Sequence, residues 1–95
     1  MIRVKIKTIL NLKNIFGAET DFDLPEGSTL ADLLSAMANQ WGEAFSTKIF
    51  QPGTKIPLSH IRLMVNGRDI AFLNRLDTRL HEADQVFILP PVSGG

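Results

Sequence analysis

The sequence predicts an α+β roll: a mixed sheet of about five strands with one main helix on one face. Three observations carry that prediction. Two alternating segments near the start match each other residue for residue, a single amphipathic helix follows them, and an Asn-Gly turn sits between two later strand-like runs.

The first segment is Ile2 to Leu10. Ile2, Val4 and Ile6 fall on one face and Arg3, Lys5 and Lys7 on the other, the period of a half-buried strand. Residues 18–24 alternate in the same way, with Phe22 and Leu24 opposed to Glu19, Asp21 and Asp23. An antiparallel pairing whose partner numbers sum to 26 sets Arg3 against Asp23, Lys5 against Asp21 and Lys7 against Glu19. It also sets Ile2 against Leu24, Val4 against Phe22 and Ile6 against Thr20. A slip of one residue loses both matches, so charge and hydropathy specify one register. The connection around Asn11 to Gly17 is longer than a tight hairpin turn and is expected to be a mobile loop.

Pro25-Glu26-Gly27 ends the second strand. Thr29 and Asp32 then have the spacing of a capping box, and Leu30, Leu33, Leu34, Met37 and Trp41 follow at helical spacing, which predicts a helix over 30–41 stopped near Gly42. Residues 42–60 carry the weakest signal. Pro52-Gly53 and Pro57 mark loops, and Ala44, Phe45, Ile49 and Phe50 fit one short helical turn. Ile61 to Val65 alternates again, burying Ile61, Leu63 and Val65 and turning Arg62 and Met64 outward. Asn66-Gly67 is a hairpin turn because both positions tolerate positive φ, and Arg68 to Ile70 reads as a short return strand. Residues 72–84 read as turns with a short helix. Val86 to Leu89 is the last strand, expected beside the first and parallel to it, and Pro90-Pro91 ends it because proline offers no N–H to a ladder.

Composition narrows the function. The chain has 95 residues, enough for one modest core. Ten basic residues balance ten acidic ones, so the charge excess typical of a nucleic-acid binder is missing. There is no cysteine, which removes disulfides, thiolate metal sites and a cysteine nucleophile. No apolar run approaches the roughly 20 residues of a membrane span, and Met1 to Lys5 does not resemble a signal peptide. A soluble, cytoplasmic protein that contacts neither nucleic acid nor membrane is expected. His60 and His81 lie far apart in sequence without metal-ligand spacing, no acid pair is placed for acid–base work, and no glycine-rich loop opens a helix, so the chain is not expected to be an enzyme on its own or to bind a metal or cofactor.

What remains is the end, Pro90-Pro91-Val92-Ser93-Gly94-Gly95. Residues 1–90 are expected to form the domain and 91–95 a flexible tail. Fully extended, the six residues from Pro90 reach about 20 Å. Two glycines let a narrow channel grip the backbone, and the Gly95 carboxylate is ionised at neutral pH and can attack a nucleotide phosphate. The alternation that buries Val86 and Ile88 turns Phe87 and Leu89 outward beside Met64, an apolar patch near the tail suited to docking a partner.

The run from Phe87 to Gly95, together with the Val65-Asn66-Gly67 hairpin and the helix at 30–41, resembles the ubiquitin-like sulfur carriers of the MoaD/ThiS family, most closely the MoaD branch. The resemblance covers the whole chain and departs from the smallest members in the longer segment 42–60. It implies a β-grasp fold. It implies adenylation of Gly95 by an E1-like enzyme of the MoeB/ThiF type, with ATP bound by that enzyme and not by this chain. It implies conversion of Gly95 to a thiocarboxylate with sulfur from a persulfide donor, and sulfur transfer inside a MoaE-type large subunit of molybdopterin synthase. Carriers for thiamine, cysteine or tRNA thiolation and protein modifiers share the same framework. A module with an inert tail is the expectation from a different class.

Overall fold

A computed structural model describes residues 1–9 and 12–90. Five strands form one mixed sheet in the order β2-β1-β5-β3-β4. They are β1 (Ile2–Thr8), β2 (Glu19–Leu24), β3 (Arg62–Val65), β4 (Arg68–Asp69) and β5 (Gln85–Leu89). Among the described residues three α-helices accompany them: α1 (Lys13–Phe16), α2 (Leu30–Trp41) and α3 (Glu43–Ile49). No described helix is long and apolar enough to cross a membrane.

β1 and β2 pair antiparallel in the register with partner sums of 26, from Ile2 with Leu24 to Lys7 with Glu19. Arg3 holds Asp23 through two hydrogen bonds of 2.8 and 3.3 Å. Lys5 bridges Glu19 and Asp21 at 3.4 and 3.7 Å, and Lys7 meets Glu19 at 3.7 Å. These side chains are partly or largely exposed, so their main effect is on register. β5 lies beside β1 and parallel to it, and β3 runs antiparallel to β5.

One face of the sheet is covered. Val4, Ile6, Leu63, Val65, Val86 and Ile88 share a core with Leu30, Leu33, Leu34 and Met37 of α2. The Thr29 side chain accepts from the Asp32 N–H while the Asp32 carboxylate accepts from the Thr29 N–H, which completes the capping box. Gly42 ends α2 at φ 64°, a left-handed value that favours glycine.

Five local expectations are corrected. β3 begins at Arg62, so Ile61, expected to be buried in that strand, lies just before it and is half-buried. β1 stops at Thr8, and Leu10 and Asn11 lie outside the described residues. The β1–β2 connection holds structure from Leu12 on: Leu12 is buried, α1 follows, and Phe16 packs on Trp41 with ring centroids 5.2 Å apart. The cause is an aromatic cluster assembled from distant positions, Phe16, Phe22, Trp41 and Phe45. In segment 42–60 the helical turn is a two-turn helix that buries Phe45 and Ile49, with Phe50 buried just after it, while Ala44 faces solvent. Ile70 leaves the strand, because the Asp69 carboxylate accepts the Ala71 N–H at 2.9 Å and starts a 3-10 turn over Ile70–Phe72; a second such turn spans Arg75–Asp77.

Candidate functional site

The chain leaves the sheet at the end of β5, between β1 and β3. Leu89 is the last strand residue and pairs with Arg62, the first residue of β3. One position earlier, the Ile88 carbonyl accepts a hydrogen bond of 2.5 Å from the Thr8 hydroxyl. β1 ends at Thr8, so this side chain supplies a bond where the strand has no further rung. Thr8 is 4% exposed, and an unpaired carbonyl beside it would be costly.

Pro90 is buried. The sequence predicts a strand end at Pro90; the structure in addition buries that residue at the sheet's end. Proline has no N–H to leave unsatisfied, which suits a buried position just past a ladder. Pro91, Val92, Ser93, Gly94 and Gly95 lie outside the described residues.

The uncovered face of the sheet carries the other predicted residues. Phe87 and Met64 are direct cross-strand partners, and Phe87 is also level with Lys7 of β1. Both are half-buried, as is Leu89. The structure thus brings Phe87, Met64 and Leu89 onto neighbouring strands beside the point where the chain leaves the sheet. Lys7 Nζ stands 5.7 Å from the Phe87 ring centroid, a cation–π contact at the patch margin. Ile9, exposed at 46%, follows Thr8 immediately and was not singled out from the sequence. The signal was available: Ile9 continues the numbering of Arg3, Lys5 and Lys7 and is the apolar exception in that series.

Charge on this face is strongest at the β1–β2 end. The hydrogen bond from Arg3 holds the Asp23 carboxyl below its ordinary value, and the same bond raises Arg3. Elsewhere, His60 and His81 are both exposed. His81 Nδ1 lies 3.8 Å from Asp84, whose carboxylate also accepts from Asn66 Nδ2 and the His81 N–H and so secures the hairpin turn. No group of three or more potential metal ligands occurs among the described residues.

The arrangement resembles known proteins along its full length. The model of the ThiS family matches residues 9–95. Small archaeal modifier protein 3 of Haloferax volcanii is 21% identical over 95 residues, spanning 99% of this chain and 100% of that one. The solution structure of small archaeal modifier protein 1 from Methanosarcina acetivorans superposes with a TM-score of 0.80 at 29% identity, covering 100% of this chain and 98% of the other. A Pyrococcus furiosus protein named for subunit 1 of a molybdopterin converting factor superposes with a TM-score of 0.76 at 26% identity, covering 97% and 100%. Fold and family expectations are thereby met, whereas the relatives named as modifiers do not single out the MoaD branch.

Proposed function

The chain belongs to the ThiS family of ubiquitin-like sulfur carriers, and on that footing we propose that its working group is the carboxylate of Gly95. The observation that carries this reading is that the family match runs through Gly95 and includes the Gly94-Gly95 pair. An E1-like enzyme supplies ATP. A Gly95 carboxylate oxygen attacks the α-phosphorus, pyrophosphate leaves, and an acyl-adenylate forms. A persulfide sulfur then attacks the acyl carbon and displaces AMP. A second thiol on the donor cleaves the resulting acyl disulfide, forming a protein disulfide and releasing Gly95 as a thiocarboxylate. The fold's part is to hold Pro90, the root of that end, against the sheet and to present Phe87, Met64 and Leu89 to the activating enzyme. No sulfur-bearing side chain of this chain is needed, in keeping with the absence of cysteine.

The sulfur acceptor we propose is a molybdopterin precursor held by a MoaE-type large subunit. The likeness to the Pyrococcus furiosus protein supports this assignment. A second reading has its own support: two of the relatives are named small archaeal modifier proteins. In that reading the activated Gly95 is attacked by a lysine amine of another protein, and an amide bond replaces the thiocarboxylate.

Intact-mass analysis of the protein from its native host tests both. Replacement of one Gly95 oxygen by sulfur is the expected result, and branched peptides carrying Gly94-Gly95 on lysine identify the modifier. A free acid that persists after incubation with the cognate adenylating enzyme, ATP and a persulfide donor overturns the proposal.

A further inference from the structure

β2 is an edge strand six residues long. It stands last in the strand order, with β1 on its inner side and no strand beyond it among the described residues. The isolated bridges, Thr29 with Arg79 and Phe50 with Pro57, do not touch it.

The phase of the ladder shows which backbone groups of β2 point outward. The Thr8 N–H donates to the Ala18 carbonyl at 3.0 Å, in the same register of partner sums of 26. Thr20 and Phe22 share that phase and exchange hydrogen bonds with Ile6 and Val4. The odd-numbered residues of β1 bond the other way: the Lys5 N–H donates to the Asp84 carbonyl at 2.9 Å, and the Arg3 carbonyl accepts from the Ala83 N–H at 2.8 Å. On β2 the N–H and C=O groups of Asp21 and Asp23 are therefore turned away from β1, and they have no hydrogen-bond partner among the described residues. Two donors and two acceptors at this spacing are what an added antiparallel strand requires. One of its residues would lie opposite Asp23 and the next but one opposite Asp21, each donating and accepting once, and the residue between them would lie opposite Phe22.

Side-chain chemistry follows from the same phase. The two bonding residues share the face of Asp21 and Asp23, and the residue between them shares the face of Phe22. Phe22 is half-buried and packs on Trp41 with ring centroids 5.9 Å apart, so an apolar side chain opposite it gains an apolar neighbour. Asp23 is already held by Arg3 through two hydrogen bonds. The Asp21 side chain is 50% exposed and is met by Lys5 at 3.7 Å, a cation it shares with Glu19. A cation opposite Asp21 gives that carboxylate a partner of its own. The same pattern already lies along the inner side of β2, where Arg3, Val4 and Lys5 stand opposite Asp23, Phe22 and Asp21. The β2 strand of a second copy fits badly: every antiparallel pairing in the outward phase sets Glu19, Asp21 and Asp23 against one another, and like charges directly opposite are destabilising.

We propose that the outer edge of β2 binds an extended basic–apolar–basic segment of a partner protein as an added antiparallel strand, with the second basic residue opposite Asp21. The proposal does not depend on the chemistry assigned to Gly95.

The test is a titration of the ¹⁵N-labelled full chain with acetyl-Thr-Lys-Val-Lys-Thr-amide at up to millimolar concentration. Saturable shifts of the Asp21, Phe22 and Asp23 amides are expected, with slower hydrogen exchange at Asp21 and Asp23. N-methylation of either peptide Lys should weaken binding about tenfold, and N-methylation of the Val should change it little, because only the Lys N–H groups face β2. Replacing the second Lys by Glu should weaken binding more than replacing the first, and Asp21→Asn should remove that difference. Unmoved amides at millimolar peptide overturn strand addition. Equal binding of all the N-methylated peptides, which keep their charge, leaves charge attraction alone and overturns it too. Weakening by the methylated Val only makes the added strand parallel and overturns the proposed orientation. Movement of the same amides on simple dilution assigns the edge to a second copy and overturns a partner.

Discussion

Thr8 and Ile88, 80 positions apart, are joined by a buried hydrogen bond from the Thr8 hydroxyl to the Ile88 carbonyl. It ties the last residue of β1 to the strand that leads out of the sheet, two residues before Pro90. Removing the hydroxyl while keeping the shape isolates its role. Thr8→Val is expected to cost about 1–3 kcal/mol, because a buried carbonyl loses its partner. Thr8→Ser should restore most of it. Denaturant melts of the three proteins check the energies. Faster amide exchange at Leu89 in the valine variant alone checks that the loss is felt at the sheet's end.

Deletion of Gly95 should abolish thiocarboxylate formation and leave the melt unchanged, since every described core residue lies before it. Intact mass after incubation with adenylating enzyme, ATP and persulfide donor, alongside a thermal melt, checks both halves. A truncated chain that still gains sulfur refutes the role of Gly95.

Phe87 is half-buried on the uncovered face, paired with Met64 and overlain by Lys7. If that patch docks the activating enzyme, Phe87→Ala should raise the KM for this chain about tenfold and leave kcat nearly unchanged, the mark of lost uniform binding. Steady-state adenylation measured by pyrophosphate release checks it. A fall in kcat with no change in KM would place Phe87 outside the docking surface.

The Arg3–Asp23 pair gives the fold a pH dependence of known sign. The folded-state pKa of Asp23 is lowered from 3.8 by the hydrogen bond from Arg3. Its stabilisation is therefore present above the unfolded value and lost as pH falls from about 4 through the lower folded value. Urea midpoints at pH 7 and below pH 4 should differ less for Asp23→Asn than for the parent chain.

Much of the fold was legible because its causes are local or strictly periodic. The charge and hydropathy alternation of residues 2–7 and 19–24 admits one register, and that register is observed. Thr29 and Asp32 announce the start of α2, and Asn66-Gly67 the hairpin, since each requirement is met within a few residues. The candidate site was legible in part, because the same period two that buries Val86 and Ile88 puts Phe87 and Leu89 on the other face.

What the tertiary structure decided is set by contacts that no local pattern encodes. Proline rules announce a strand end at Pro90 but not its burial, which depends on the neighbours it meets there. The packing of Phe16 depends on Trp41 and Phe45, which α2 and α3 bring to it from distant positions in the chain. The early exit of β4 at Ile70 rests on which backbone groups Asp69 captures. By itself the sequence determined the register of β1 with β2, the helix α2 and the family of the Gly-Gly end. Only the assembled sheet decided how the root of that end is held, because Thr8 and Ile88 become neighbours solely through the parallel pairing of the chain's first and last strands.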